Sequence, residues 1–157
     1  MLLSRKFVSE YVDLPKDLTI EEIANDMTSV GNEYDYAGKL INCTNLIVGE
    51  VLECINHPDS DHLHVCCVNV GDEDLQIVCG APNVKKDLKV IVAKVGAVLP
   101  GDFEIKKSKI RGVESCGMIC ALFELGLEEK TEENYSKGIE ELDDEAPVGE
   151  DPLTYLG

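Results

Sequence analysis

The stretch LIVGEVLEC (residues 46–54) begins a series of short apolar segments that fills the middle of the chain. Each segment is rich in valine, isoleucine or cysteine, and turn residues such as glycine, proline, asparagine and aspartate separate one segment from the next. Short strands at this spacing predict a small barrel or sandwich. The other segments are LHVCCVNV (63–70), LQIVC (75–79), KVIVAKV (89–95), FEIKKSKI (103–110) and GMICA (117–121).

A five-stranded barrel of the oligonucleotide/oligosaccharide-binding (OB) type is among the few architectures that fit such a series. The fold class predicted is therefore mainly β, and α+β overall because a helix precedes the series. With 157 residues and 44% hydrophobic residues, the chain is long enough to bury a core without disulfides or metals.

A helix is predicted near the N-terminus. Thr19 and Glu22 have the spacing of a capping box, and Gly31 is a suitable stop. The apolar residues between them recur at helical spacing, so one face of the helix needs a partner to bury it. These residues are Ile20, Ile23, Ala24, Met27 and Val30.

The last part of the chain, residues 128–157, is strongly acidic and has only two short apolar patches, at 139–142 and 153–156. Such a composition predicts a surface-hugging or partly disordered exit segment.

Charge is unevenly distributed. Fourteen Lys and Arg residues oppose 31 Asp and Glu residues, for a net charge of −17. Between Lys85 and Arg111, however, eight basic residues meet only three acidic ones, so the chain is acidic with one basic strip (residues 85–111). An acidic total argues against a polyanion partner, whereas the strip argues for one.

No apolar run is long enough for a membrane span, and the N-terminus does not resemble a secretory signal, so a cytoplasmic location with no membrane partner is expected.

The cysteines and histidines raise the question of a metal or a nucleophile. His62, His64 and Cys66 alternate along one segment, but no CxxC pair exists, and most cysteines lie among valines and isoleucines. We therefore expect cysteines that pack as small hydrophobes, with no metal site and no catalytic residue in this chain.

Lys107, Lys109 and Arg111 are the best candidates for contacts with a polyanion, because alternate residues of a strand share one face. The alternative is a solvated edge strand, where lysines are common. Phe103 and Phe123 are the only aromatic residues between 41 and 126, which indicates recognition of RNA backbone and shape more than of bases.

Several motifs together resemble the tRNA-binding OB domain. They are VGEV (48–51), HPDSDHL (57–63), IVCGAPN (77–83), IKKSKIRGVES (105–115) and GMIC (117–120). The flanking segments MLLSRKF (1–7) and APVGED (146–151) are similar to the N-terminal region of the bacterial phenylalanyl-tRNA synthetase β subunit.

This resemblance implies an OB domain at 41–127 inserted in a split domain, whose parts are the helical residues 1–40 and the returning residues 128–157. It also implies a cytoplasmic α2β2 enzyme that attaches phenylalanine to its tRNA with ATP and magnesium. In that family catalysis belongs to the α subunit, so this chain is expected to be a catalytically inert part of the ligase that binds no cofactor itself.

The resemblance also implies partners: tRNA, the α subunit and the rest of the β subunit. Because the net charge is −17, we expect the chain in isolation to bind tRNA weakly. One alternative is a packing module that has lost RNA binding, and another is a free-standing tRNA-binding protein. The binding residues carried over from the family are Asn83, Lys107, Lys109, Arg111, Ser115 and Met118.

Overall fold

The computed structural model describes residues 3–31, 33, 37 and 43–156. The chain divides into two compact units, one containing residues 1–40 with Gly157 and the other residues 41–156. None of the helices in the described ranges is long and apolar enough to cross a membrane.

The first unit contains two helices, α1 (Arg5–Ser9) and α2 (Ile20–Ser29). The predicted capping box is confirmed: the Glu22 N–H donates to Thr19 Oγ1 at 3.2 Å, and the Thr19 N–H donates to Glu22 Oε2 at 2.8 Å. The Arg5 guanidinium donates to the carbonyl oxygens of Pro15 and Leu18, which fastens α1 to the segment that leads into α2.

The second unit is a nearly closed antiparallel barrel, so the predicted five-stranded fold is confirmed. The bounds of the main strands are β1 (Leu46–Asn56), β2 (His64–Asn69), β3 (Asp74–Cys79), β4 (Lys89–Lys94), β9 (Gly117–Ile119) and β10 (Glu141–Leu142). The main sheet has the order β10-β4-β1-β2-β3, and β9 pairs with β4.

Smaller elements complete the second unit. Strands β5 (Val98–Leu99) and β6 (Phe103–Glu104) form one pair, and β7 (Ser108–Ile110) and β8 (Val113–Ser115) form another. A single strand over 103–110, as the sequence suggested, is therefore wrong: Ile105 is buried between β6 and β7, with its N–H donating to the Ala97 carbonyl. The helices are a 3₁₀ turn (Leu122–Leu125), α3 (Glu132–Lys137) and α4 (Pro152–Leu156).

The core consists of valine, isoleucine, leucine and cysteine side chains from the inner faces of the strands. Val48, Val68, Ile77 and Ile91 are fully buried. Cys66 and Cys120 are buried among them, because a thiol is small and weakly polar.

The exit segment contributes to this core, whereas its composition predicted a surface-hugging or partly disordered segment. Ile139, Leu142 and Ala146 are buried, and β10 pairs with β4. The Val48 N–H donates to the Glu150 carbonyl at 2.8 Å, so residues 139–150 extend the sheet and cover it.

Candidate nucleic-acid interface

The β7–β8 hairpin carries the cations that the sequence singled out. Its turn consists of Arg111 (φ 48°) and Gly112 (φ 83°), so both central residues have positive φ, as in a type I′ turn. The strand therefore ends at Ile110, and the expectation that Arg111 shares a strand face with the two lysines is wrong. A non-glycine residue in this conformation stores about 1–2 kcal/mol of strain, and such strain is often kept at functional sites.

Lys107 and Lys109 flank one carboxylate. Lys107 Nζ lies 3.0 Å from Glu114 Oε1, and Lys109 is the cross-strand partner of Glu114. The hydrogen bond to Glu114 raises the pKa of Lys107, and the same bond lowers the pKa of Glu114. All three side chains are exposed, and the pair of lysines leaves this face with excess positive charge.

Arg111 reaches the 57–63 loop instead. Its Nη1 donates to the Asp59 carbonyl at 2.9 Å, and together with residues 56–62 it lines an open cleft of about 490 Å³. Asp59 and Asp61 line the same cleft, so their charges reduce its attraction for phosphate.

His57 holds the loop and the turn together, a role that the sequence did not reveal. The Asp59 N–H donates to His57 Nδ1 at 3.0 Å, so Nε2 carries the proton and donates to the Ile110 carbonyl at 3.0 Å. The imidazole is buried, with 3% of its surface exposed. His57 and Arg111 therefore form two reciprocal links between the loop and the hairpin.

Ser115 is buried where the barrel closes. Its Oγ accepts a hydrogen bond from the Val78 N–H at 3.1 Å and donates to the Gly117 carbonyl at 3.2 Å. The hydroxyl at the end of β8 thereby links β3 to the start of β9. Contact between Ser115 and RNA stays a prediction, since the hydroxyl already has two partners inside the protein.

Asn83 is engaged in the same way. Its Oδ1 accepts from the Ile139 N–H at 3.0 Å, and its Nδ2 donates to the Ile139 carbonyl at 2.8 Å and to Glu141 Oε1 at 3.1 Å. The side-chain amide bonds both the N–H and the carbonyl of Ile139, as the backbone of a neighbouring strand would, and so fastens the exit segment to the turn after β3. A role for Asn83 in RNA binding likewise stays a prediction.

Met118 lies half-buried on β9 in the wall of a groove of about 470 Å³. Residues 78–82, which are the end of β3 and the turn after it, form a further part of the wall together with residues 103–106 and Ser108, and α3 contributes Tyr135. Tyr135 belongs to the exit segment, so it was not among the aromatic residues between 41 and 126 on which the sequence-based expectation depended. Three aromatic rings line this groove: Phe103, Phe123 and Tyr135.

The cysteines of the core provide a check on their predicted role. Burial raises the pKa of the Cys66 and Cys120 thiols, so both stay protonated and unreactive at neutral pH. We expect a thiol reagent to modify these two residues only after denaturant unfolds the protein, as measured by mass spectrometry of digested samples. Rapid modification of Cys66 in the native protein would contradict this assignment.

Across the described ranges, no three His, Cys, Asp or Glu side chains are grouped to hold a metal ion.

Comparison with known proteins is consistent with this geometry. A family model described as "Putative tRNA binding domain" matches residues 46–151. The chain is 48% identical to the phenylalanine–tRNA ligase β subunit of Geobacillus kaustophilus over 160 residues, and 46% identical to that of Fusobacterium nucleatum. These alignments cover 100% and 99% of the chain but only 20% and 19% of the relatives, so the chain spans about a fifth of their length. The predicted resemblance to the β subunit is confirmed.

Among solved structures, a methionyl-tRNA synthetase-related protein from Pyrococcus horikoshii aligns with a TM-score of 0.48 and 25% identity. That alignment covers 66% of this chain and 84% of the other.

Proposed function

Because the chain belongs to the family of tRNA-binding domains, we propose that it is the non-catalytic tRNA-binding module of a phenylalanine–tRNA ligase β subunit. The observation that carries the proposal is the match of the family model over the whole barrel, including the exposed cations of the β7–β8 hairpin. The whole enzyme would attach phenylalanine to tRNA in the cytoplasm as an α2β2 assembly, so the α subunit and the rest of the β subunit are further partners.

ATP and magnesium belong to other parts of that enzyme in this proposal. Within the described residues no acidic or histidine cluster is arranged to hold a metal, and the chain has no glycine-rich phosphate loop. These residues therefore do not fit ATP or magnesium.

Lys107, Lys109 and Arg111 would neutralise phosphates, with Met118 as an adaptable apolar contact. His57 acts as a positioning residue, because it fixes the backbone beside Arg111. The surrounding acidic surface repels RNA, so we expect a Kd on the order of tens of micromolar at physiological salt, as for non-specific contacts.

A salt series tests the proposal. With three cations involved, the logarithm of the affinity for tRNA should fall with a slope of roughly −2 to −3 against the logarithm of salt concentration. The variant Lys107→Ala/Lys109→Ala/Arg111→Asn should lose at least about tenfold in affinity and most of this slope. Asparagine is chosen at 111 because it tolerates positive φ and so keeps the turn.

The control removes the same charge elsewhere, with Lys16→Ala/Lys85→Ala/Lys86→Ala, at three exposed lysines outside the hairpin. This variant should keep most of the affinity. If both triple variants bind tRNA as well as the original protein, the hairpin is a solvated edge and the chain is a packing module. If both lose the same affinity, binding reflects overall charge and not the hairpin.

A further inference from the structure

The groove defined above (lined by residues 78–82, 103–106, 108 and 117–119 and by the side chains of Phe123 and Tyr135) contributes Met118 to the contacts proposed so far, but its aromatic side chains have no role in them. It lies beside the basic hairpin, since Lys106 and Ser108 form part of its wall. Its position makes it accessible to a ligand that also touches Lys107 and Lys109.

Two of its aromatic residues are exposed. Tyr135 has 56% of its surface exposed and Phe103 has 59%, whereas Phe123 has only 8%. The buried Phe123 supports Tyr135, because their ring centroids lie 4.5 Å apart at an angle of 44°. Phe123 thus fixes one side of the tyrosine ring while most of the residue's surface stays open.

The charges of the groove restrict what can enter. Glu104 and Glu124 line it, and Glu124 accepts a hydrogen bond from the Ala121 N–H at 2.8 Å. Lys106 Nζ lies 3.8 Å from Glu104 Oε2, so the negative charge of Glu104 offsets part of the positive charge of the lysine. These carboxylates would repel a phosphate inside the groove, whereas they would not repel a flat uncharged group. Phosphates are better placed outside, near Lys107 and Lys109.

We propose that the groove takes one unpaired nucleobase of the bound RNA and stacks it on Tyr135. The inference rests on the proposed function and adds base stacking to it. An aromatic ring stacks on any base, so the contact adds affinity with little sequence preference. It also changes the expectation from the sequence, where too few aromatic residues were found for base contacts.

The test uses two single-stranded RNA probes of equal length and charge, one with uracil bases and one abasic. Because the phosphates are the same, the ratio of the two affinities reports stacking alone. We expect the unmodified protein to prefer the probe with bases by about fivefold to 150-fold, the range expected for one stacked base. Tyr135→Ala should reduce this ratio to about one, and Tyr135→Phe should keep it, because phenylalanine retains the ring.

Circular dichroism and urea unfolding check that both variants remain folded, and Phe103→Ala provides a second variant at the other exposed aromatic residue of the groove. The salt slope for tRNA should be the same in Tyr135→Ala as in the original protein, since no cation is lost.

The outcomes separate this inference from the proposed function. If the original protein binds both probes equally with the expected salt slope, the proposed function stands and the base site is wrong. A preference for bases that survives Tyr135→Ala also overturns the site. If Tyr135→Ala leaves RNA binding intact but weakens association with the remainder of the synthetase, the groove takes a protein side chain instead. If the original protein binds neither tRNA nor probe at low salt, the proposed function fails and the base site with it.

Discussion

Replacing Asn83 with alanine is expected to lower the free energy of unfolding by about 2–4 kcal/mol. The substitution removes all three hydrogen bonds that hold Ile139 and Glu141 to the turn after β3. Ile139 is 6% exposed, so its N–H and carbonyl lose partners in a place that water hardly reaches. Urea denaturation followed by circular dichroism measures the change.

Asn134→Ala is the matched control, because that side chain makes one exposed hydrogen bond, from Nδ2 to the Glu129 carbonyl. It should cost about 1 kcal/mol or less. An equal loss in the two variants would show that the Asn83 bonds contribute nothing special.

Gly138 gives an independent test of the same contact. It has φ +83° and ψ −139°, and a Cβ there would lie 2.1 Å from Asn83 Oδ1. Gly138→Ala should therefore destabilise the protein as well. The double variant Asn83→Ala/Gly138→Ala should lose less stability than the sum of the losses in the two single variants, because Asn83→Ala already removes the side-chain oxygen that the new Cβ would meet.

Ending the chain after Leu127 is expected to abolish cooperative folding of the barrel. The truncation removes the buried side chains of Ile139, Leu142 and Ala146 together with β10. Full burial of one large aliphatic side chain is worth about 1.5–3 kcal/mol, and the newly exposed core adds to the loss. The total approaches the entire stability of a domain of this size, about 5–15 kcal/mol.

Thermal unfolding and the dispersion of amide NMR signals measure this outcome. Cooperative unfolding of the truncated protein would contradict this prediction and would mean that the barrel folds without the exit segment. Deleting the acidic segment would therefore be a poor test of its repulsion of RNA, because Ile139, Leu142 and Ala146 would leave the core with it.

Neutralising exposed carboxylates separates charge from folding. In Glu129→Gln/Asp144→Asn/Glu145→Gln, three exposed acidic side chains lose their charge while the buried residues of the segment stay in place. This variant should keep the thermal stability of the original protein and bind tRNA more tightly at low salt, because repulsion of the RNA is reduced.

Local patterns in the sequence determined α2 and the longer strands of the barrel. The capping box at Thr19 and Glu22 predicted the start of α2, because the two residues are three positions apart and their bonds need no other part of the chain. Runs of valine and isoleucine between turn residues predicted β1 to β4 to within a few residues. The same local motifs were enough to indicate the family, since the order of the segments is itself a feature of the sequence.

The tertiary structure alone decided which residues work together. Asn83 and Ile139 are 56 positions apart, and His57 and Ile110 are 53 apart, so no periodicity could pair them. Tyr135 reaches the groove because β10 pairs with β4 and brings α3 onto the barrel. Arg111 leaves the face of the lysines because a two-residue turn follows Ile110. Each of these outcomes depends on hydrogen bonds and packing between distant segments, which form only when the barrel closes.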